Sequence, residues 1–265
     1  MLPQWCKLFS HAPARTLAVA PQGIALRMPN QPAQILSEAN TPLGTTAQLN
    51  AYWHTLFTQH SGLRHHALRV VLSNTYVRYL VVPWQAKLFR RQDWEALAQH
   101  AFRQQFGAMA SDWHVRVHLG GYGQPVLAAA VDRGLLEPLI SSAHRLGVVL
   151  TTIEPAFLRV LKPQPEQRSW TMMVEPTRVL LMQAHHGVWQ HISMDAPPAE
   201  LECQHAQQMV SRALLQVEAN QYPTKVMTHV SATLQSQWHT DAASICRLAH
   251  RTNGTQPHAA WLAGI

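Results

Sequence analysis

The chain carries one pattern twice: three short strands joined by tight turns and followed by an amphipathic helix. The first copy predicts strands at residues 16–20, 23–28 and 34–37, and a helix whose apolar residues follow from residue 49 at helical spacing. The second copy predicts strands at residues 170–175, 178–184 and 188–193, and a long helix over residues 199–219. The repeat predicts an α/β fold made of two lobes that begin alike.

The segment 162–168 is the best candidate for a boundary between the lobes. It contains two prolines and three charged residues, and it has no large apolar side chain. We therefore expect a first lobe at residues 1–164 and a second, shortened lobe at residues 165–265. The first lobe should hold an inserted α/β subdomain at about residues 68–150, which begins with a strand pair, 68–73 and 76–82, joined by a turn at Asn74-Thr75.

Composition excludes several classes of protein. The 21 basic residues outnumber the 14 acidic ones, but they are dispersed and form no block of five or six, which disfavours a specific nucleic-acid site. The three cysteines are well separated, so they favour a reducing cytoplasm over a disulfide framework. The histidine pairs at 65–66 and 185–186 lack metal-ligand spacing, so no metal site is expected. No apolar run approaches the roughly 20 residues that cross a bilayer.

The order of elements in the middle of the chain resembles a known family. A strand with an arginine ends in Val82-Pro83, an aromatic helix follows at residues 92–106, and an alanine-rich strand leads into Val131-Asp132-Arg133 and a Leu-Leu helix. This order resembles the cytoplasmic domain of GspL from type II secretion and the PilM proteins of type IV pilus assembly. The similarity covers about the first two thirds of the chain and, more weakly, the rest. It implies an actin-like, ribonuclease H-like duplicated fold with mixed sheets and flanking helices.

The resemblance also shows where nucleotide chemistry would lie. Actin-like enzymes place an Asp and a small-residue turn after the first strand of the first lobe, and an Asp-x-Gly hairpin in the second lobe. The chain departs from both motifs; its residues there are Ala20, Pro21, Gln22 and Gly23, and Glu175, Pro176, Thr177 and Arg178. Proline offers a phosphate no N–H group, and alanine cannot hold a hydrated metal ion. We therefore expect a degenerate site, no cofactor and no catalysis.

The expected function is that of a non-catalytic cytoplasmic scaffold. The resemblance implies that the chain binds the cytoplasmic tail of a bitopic inner-membrane platform protein, that it contacts the hexameric assembly ATPase, and that it reaches the membrane only through its partner. A homodimer is compatible with this role. Arg78, Trp84, Arg90 and Arg91 are candidate partner-binding residues, because a tryptophan beside arginines is typical of interfaces. Alternatively, Trp84 simply packs on the helix that follows it.

Two other classes of function remain open at the sequence level. An actin-like ATPase could use nucleotide through an altered phosphate site, with Glu175 as the carboxylate on the metal side. A basic nucleic-acid-binding module would require the dispersed arginines to converge on one face. Affinity for magnesium-ATP separates the first alternative from the scaffold, and a steep dependence of binding on salt identifies the second.

Overall fold

The computed structural model describes residues 15–38, 46–63, 65–161, 169–198, 201–218, 223, 225–231, 234 and 248–250. The predicted boundary at 162–168 lies outside these residues. The division into lobes at 1–164 and 165–265 therefore stays a prediction.

The helices and strands follow one another in a regular order. Those before residue 162 are β1 (Arg15–Ala20), β2 (Gly23–Arg27), β3 (Ala33–Glu38), α1 (Thr46–Gln59), β4 (Ala67–Leu72), β5 (Val77–Val82), α2 (Arg91–Phe106), β6 (Trp113–His118), β7 (Val126–Asp132), α3 (Arg133–Arg145), β8 (Val149–Pro155) and α4 (Ala156–Val160). Those after residue 168 are β9 (Ser169–Glu175), β10 (Arg178–His185), β11 (Val188–Asp195), α5 (Glu202–Leu215), β12 (Lys225–Val230) and β13 (Leu248–His250).

Two five-stranded sheets have the same topology. The first sheet has the order β3-β2-β1-β4-β8, and the second has the order β11-β10-β9-β12-β13. In each sheet three strands that are consecutive in the chain, β1 to β3 or β9 to β11, form an antiparallel meander. The next strand of the sheet then pairs in parallel with the strand that begins the meander, β4 with β1 and β12 with β9. The predicted duplication of the meander and helix is confirmed.

A third sheet, with the order β5-β7-β6, forms an insert together with α2 at residues 77–132. The predicted pairing of strands 68–73 and 76–82 was wrong, because β4 lies between β1 and β8 whereas β5 pairs with β7. Asn74–Tyr76 form a 3-10 turn, and the Ser73 side chain caps it by accepting a hydrogen bond from the Thr75 N–H. This turn carries the chain from the first sheet into the third instead of reversing it.

The hydrophobic core is continuous between the first and second sheets. It is formed by the first sheet with α1, α3 and α4, and it includes Met173, Leu180 and Met182 from the second sheet. The other face of the second sheet packs against α5, and the third sheet packs against α2 around Trp94 and Phe102. The side chains on one face of the second sheet therefore pack directly against the first lobe.

Candidate functional site

The two hairpin turns that correspond to phosphate loops occupy equivalent positions. Val19 lies opposite Leu72 in the first sheet, and Val174 lies opposite Val230 in the second. The next residue repeats the correspondence, because the Ser73 N–H donates to Val19 O (2.8 Å) and the Ser231 N–H donates to Val174 O (2.9 Å). By this register Ala20 corresponds to Glu175, and Pro21 corresponds to Pro176.

Strand alternation decides where Glu175 points. Along β9, Trp170, Met172 and Val174 face α5, whereas Met173 faces the core shared with the first lobe. Side chains two residues apart lie on the same face of a strand, so Glu175 also faces the first lobe. The Glu175 side chain is completely buried.

The Glu175 carboxylate accepts hydrogen bonds from the turn that follows β4. Its Oε2 accepts from Ser73 Oγ (2.5 Å) and from the Asn74 backbone N–H (3.1 Å), and its Oε1 accepts from Asn74 Nδ2 (2.6 Å). All of these partners act as donors, which is the complement that an ionised carboxylate requires. The carboxylate that could have faced a metal ion instead joins the two lobes.

Asn74 connects Glu175 to the rest of the first lobe. Its Oδ1 accepts hydrogen bonds from the Tyr79 hydroxyl (2.6 Å) and from the Phe157 N–H (3.2 Å). Burial, with the Glu175 charge as a smaller cause, raises the pKa of Tyr79 well above its usual value, so the hydroxyl keeps the proton that it donates. We call Ser73, Asn74, Tyr79 and Glu175 the Glu175 cluster.

Two further contacts border the Glu175 cluster. The Thr75 and Thr177 hydroxyls form a hydrogen bond of 2.6 Å between the lobes. Arg78 and Arg178 lie close enough that the charge of Arg178 contributes, after burial, to a lowered pKa of Arg78. Arg78 donates to the carbonyl oxygens of Thr75 and Val77. Arg78 therefore belongs to the junction of the lobes.

These residues do not fit a magnesium-bound nucleotide. Pro21 and Pro176 supply no N–H group to a phosphate at the two turns. The Glu175 oxygens are already bonded to donors from the first lobe. The arrangement therefore suits contact between the lobes better than phosphate binding.

A second candidate site is a cleft between the insert and α3. It has a volume of about 350 Å³ and is lined by Glu95 and Gln99 of α2, residues 113–116 of β6, and residues 133, 136, 137 and 140 of α3, with Ile153 of β8. Side chains alternate along a strand, so four consecutive residues of β6 can line one cavity only along the edge of the sheet. The residues of α3 share one helical face. The cleft is thus a groove between two helices and a strand edge.

Charged groups of both signs line the cleft. Arg116 pairs with Glu95 Oε2 at 3.3 Å, and Glu95 Oε1 is buried without a hydrogen-bond partner among the described residues. Burial, followed by the charges of Arg116 and Arg133, lowers the pKa of His114 to about 4. His114 is therefore neutral at physiological pH, and the cleft offers an unpaired acceptor at Glu95.

The predicted partner-binding residues do not form a single surface. Trp84 is half-buried and packs against Trp94 (centroid distance 5.2 Å), as expected if it packs on the following helix. Arg90 and Arg91 are exposed at the start of α2, near Trp84 in the chain. Arg78 begins β5 and lies at the opposite end of that strand. The role of these four residues in binding a partner stays a prediction.

Sequence reasoning found Glu175 but missed its partners. Asn74 and Ser73 were interpreted as parts of a hairpin, although a polar Ser-Asn-Thr run directly after a buried strand is also typical of a capped turn. The cleft was missed because its lining comes from four elements that only the fold brings together. The i, i+3, i+4, i+7 spacing of Arg133, Leu136, Glu137 and Ile140 is the one local signal of a shared face.

The described residues contain no group of three or more histidine, cysteine, aspartate or glutamate side chains that could hold a metal ion. None of the helices among them is long and apolar enough to span a bilayer.

The fold is actin-like. No family model matches the chain, and no curated protein matches it. One similar solved structure is the cytoplasmic domain of EpsL, an inner-membrane component of the type II secretion system of Vibrio cholerae (TM-score 0.53, 11% identity, covering 94% of this chain and 92% of that one). Another is a Bacteroides thetaiotaomicron protein of unknown function with an actin-like ATPase fold (TM-score 0.57, 12% identity, covering 92% and 93%).

The PilM-PilN type IV pilus biogenesis complex is also similar, with a TM-score of 0.60 and 12% identity over 89% of this chain and 87% of that one. These structures confirm the predicted actin-like fold class and the predicted structural likeness to GspL and PilM domains. Two of the three are parts of secretion or pilus machinery.

Proposed function

We propose that the chain is a non-catalytic scaffold of a type IV pilus or type II secretion assembly platform at the inner membrane. The observation that carries the proposal is the Glu175 cluster. An actin-like enzyme would bind its metal-bound phosphate at this position. In this chain, hydrogen bonds among the chain's own residues occupy it instead. Such a pseudo-ATPase acts by binding partners, and the structural likeness to EpsL and to the PilM-PilN complex supports partners of the platform.

The partner that we propose is the cytoplasmic tail of a bitopic membrane protein, bound in the cleft of α2, β6 and α3. An extended tail would lie along β6 and make its apolar contact mainly with the partly exposed Ile140, since Leu136 and Ile153 are almost completely buried. A donor group of the tail, either a backbone N–H or a cationic side chain, would meet the buried Glu95 Oε1. In this role the chain is cytoplasmic and peripheral to the inner membrane, and another surface contacts the hexameric assembly ATPase.

The side chains of the cleft would hold the tail, more than main-chain hydrogen bonds from a strand added to the edge of β6. The edge carbonyl of Val115 accepts a hydrogen bond from Arg116 Nη1 (3.1 Å), and that of Val117 accepts one from Arg91 Nη1 (2.6 Å). Continuous main-chain pairing along β6 would have to displace both guanidinium groups. Specificity should therefore depend on the charged groups of α3 at the rim, Arg133 and Glu137, which are exposed.

The test is calorimetric titration with synthetic peptides of the cytoplasmic tails of bitopic inner-membrane proteins from the same genome. We expect binding by the wild type, and affinity at least about tenfold weaker for Arg133→Glu or Glu137→Arg. Arg145→Glu is the matched control, because Arg145 is exposed on another face of α3. The cleft is the wrong site if Arg145→Glu weakens binding as much as the other two variants. The partner is wrong if the wild type binds none of the tails.

A further inference from the structure

The end of the insert farthest from the Glu175 cluster has a distinctive surface. Val82 at the end of β5 lies opposite Val126 at the start of β7, and His118 at the end of β6 lies opposite Leu127. The connections 83–90 and 119–125 therefore emerge side by side from one end of the third sheet. We call these two connections the insert tip. It is about 20 Å from the turn at Asn74, since β5 is a six-residue strand.

Two large aromatic side chains protrude from the insert tip, one from each connection. Phe89 is 83% exposed and Tyr122 is 85% exposed. Single exposed apolar side chains are ordinary on protein surfaces. Here Trp84 supports Tyr122, because it packs edge-on against Tyr122 at 5.1 Å and also packs on Trp94. Tyr122 is thus connected through Trp84 to the core of the insert, and Phe89 protrudes from the neighbouring connection.

The charge of the insert tip has one sign. Lys87, Arg90 and Arg91 are exposed, and the connections 83–90 and 119–125 contain no acidic residue. The nearest acidic residue is Asp93, which is exposed in the first turn of α2. Burial and the charge of Arg91 lower the pKa of His118, so this histidine adds no positive charge at neutral pH. Lys87, Arg90 and Arg91 outnumber the one nearby carboxylate, Asp93, and form no ion pair with the acidic side chains that the structure describes. Such an excess of positive charge beside protruding aromatic side chains complements a negatively charged surface with an apolar interior.

We propose that the insert tip docks directly on an anionic lipid bilayer. Phe89 and Tyr122 enter the headgroup region, where aromatic side chains are favoured, and Lys87 and Arg90 contact lipid phosphates. Arg91 adds charge, although its Nη1 atom is already bonded to Val117 O. A single-stranded nucleic acid would instead require a positively charged groove that follows its backbone. The aromatic side chains of the tip protrude and so suit insertion into a bilayer better than they suit such a groove. This inference adds a lipid contact to the partner-mediated one of the proposed function.

Vesicle co-sedimentation of the purified full-length chain tests the proposal. Vesicles of phosphatidylcholine alone are compared with vesicles that contain about one third phosphatidylglycerol. We expect binding to the anionic vesicles, lost at high salt, and little binding to the neutral ones. The pair Lys87→Gln and Arg90→Gln should lower the partition coefficient roughly 25-fold, at about fivefold per cation. The pair Phe89→Ser and Tyr122→Ser should lower it by about tenfold or more.

The matched control is the pair Arg103→Gln and Met109→Ser at the other end of the same insert. Arg103 is exposed in the last turn of α2, and Met109 is 66% exposed. This pair should bind anionic vesicles like the wild type. The proposal is overturned if the wild type ignores anionic vesicles, if the control pair loses as much binding as the tip variants, or if single-stranded DNA is bound through the same residues and vesicles are not.

Discussion

The hairpin turn of the first lobe and that of the second lobe occupy the same place in their sheets but end in opposite chemistry. Both turns carry a proline at the equivalent position, Pro21 and Pro176. The residue before it is Ala20 in the first lobe, where it is completely buried in the apolar core, and Glu175 in the second, where it is buried among hydrogen-bond donors. The two turns share a backbone register, but only the second carries a carboxylate that bonds to the other lobe.

The lobes also differ in what connects their parallel strands. Residues 73–148 connect β4 to β8 and include the whole insert, whereas residues 231–247 connect β12 to β13. The first lobe therefore has room for the cleft and the insert tip, and the second lobe contributes the carboxylate that closes the junction. The proposed partner surfaces thus lie in the first lobe, and the second lobe supplies Glu175 to the contact between the lobes.

Of the changes that test this difference between the two turns, removing the Glu175 carboxylate should lower the stability of the protein most. Glu175→Ala makes the second turn resemble the first, but it leaves the Ser73 hydroxyl and both Asn74 donors buried without their acceptor. We expect the free energy of unfolding, measured by urea denaturation, to fall by about 4 kcal/mol. The exposed Glu218→Ala is the control and should stay within about 0.5 kcal/mol of the wild type. Equal stability of the two variants would show that Glu175 does not join the lobes.

Ser73→Ala should have a smaller effect that depends on Glu175. The Ser73 hydroxyl donates to the carboxylate and also caps the turn, so its loss should cost about 2 kcal/mol. Combined with Glu175→Ala in a double-mutant cycle, it should show a coupling energy of at least about 1 kcal/mol. Strictly additive effects would argue against a direct bond between the two side chains.

Acid should lower the free energy of unfolding through His114, which lies in the insert that distinguishes the first lobe from the second. The pKa of His114 is lowered from 6.5 to about 4, so the unfolded chain binds a proton between these values that the folded chain does not. The free energy of unfolding should therefore fall as the pH drops from 6.5 to 4. His114 is partly exposed, so solvent screening reduces the expected loss to about 1 kcal/mol.

His114→Gln should remove this part of the pH dependence of stability, as measured by denaturation at a series of pH values. The exposed His144→Gln, on α3, should leave the dependence unchanged. If His144→Gln removed it and His114→Gln did not, the lowered pKa would have been assigned to the wrong residue.

The two prolines allow the smallest and best matched test. Pro21→Ala and Pro176→Ala each restore one N–H group at equivalent turns, and each releases conformational freedom in the unfolded chain. Each should lower the melting temperature by the equivalent of about 0.5 to 1 kcal/mol, and the two losses should agree to within a few tenths. A large difference between them would mean that the turns are not equivalent.

Much of the fold was predictable from local patterns. Alternation and turn residues predicted both meanders, and the aromatic helix predicted at residues 92–106 matches α2 within one residue at each end. The Leu-Leu helix expected after Val131-Asp132-Arg133 is α3, and the Asp132 carboxylate caps it by accepting from the Gly134 N–H at 2.7 Å. These signals lie within a few residues of the structure that they specify.

What the sequence did not reveal depends on distant contacts. The segments 68–73 and 76–82 have a hairpin's pattern, but their real partners are strands far along the chain, and alternation alone does not name a partner. Glu175 and Asn74 are 101 residues apart, so no local spacing could show that the carboxylate would meet donors instead of a metal ion. The proline and alanine residues at the two turns predict a degenerate phosphate site, and this stays a prediction.

The most direct measurement is calorimetric titration of the purified protein with magnesium-ATP. The account predicts no binding below millimolar concentration, because each turn lacks one N–H group, at Pro21 or Pro176, and Glu175 is bonded to the first lobe. Micromolar binding would contradict it, since it would mean that a nucleotide site persists despite Pro21, Pro176 and the Glu175 cluster.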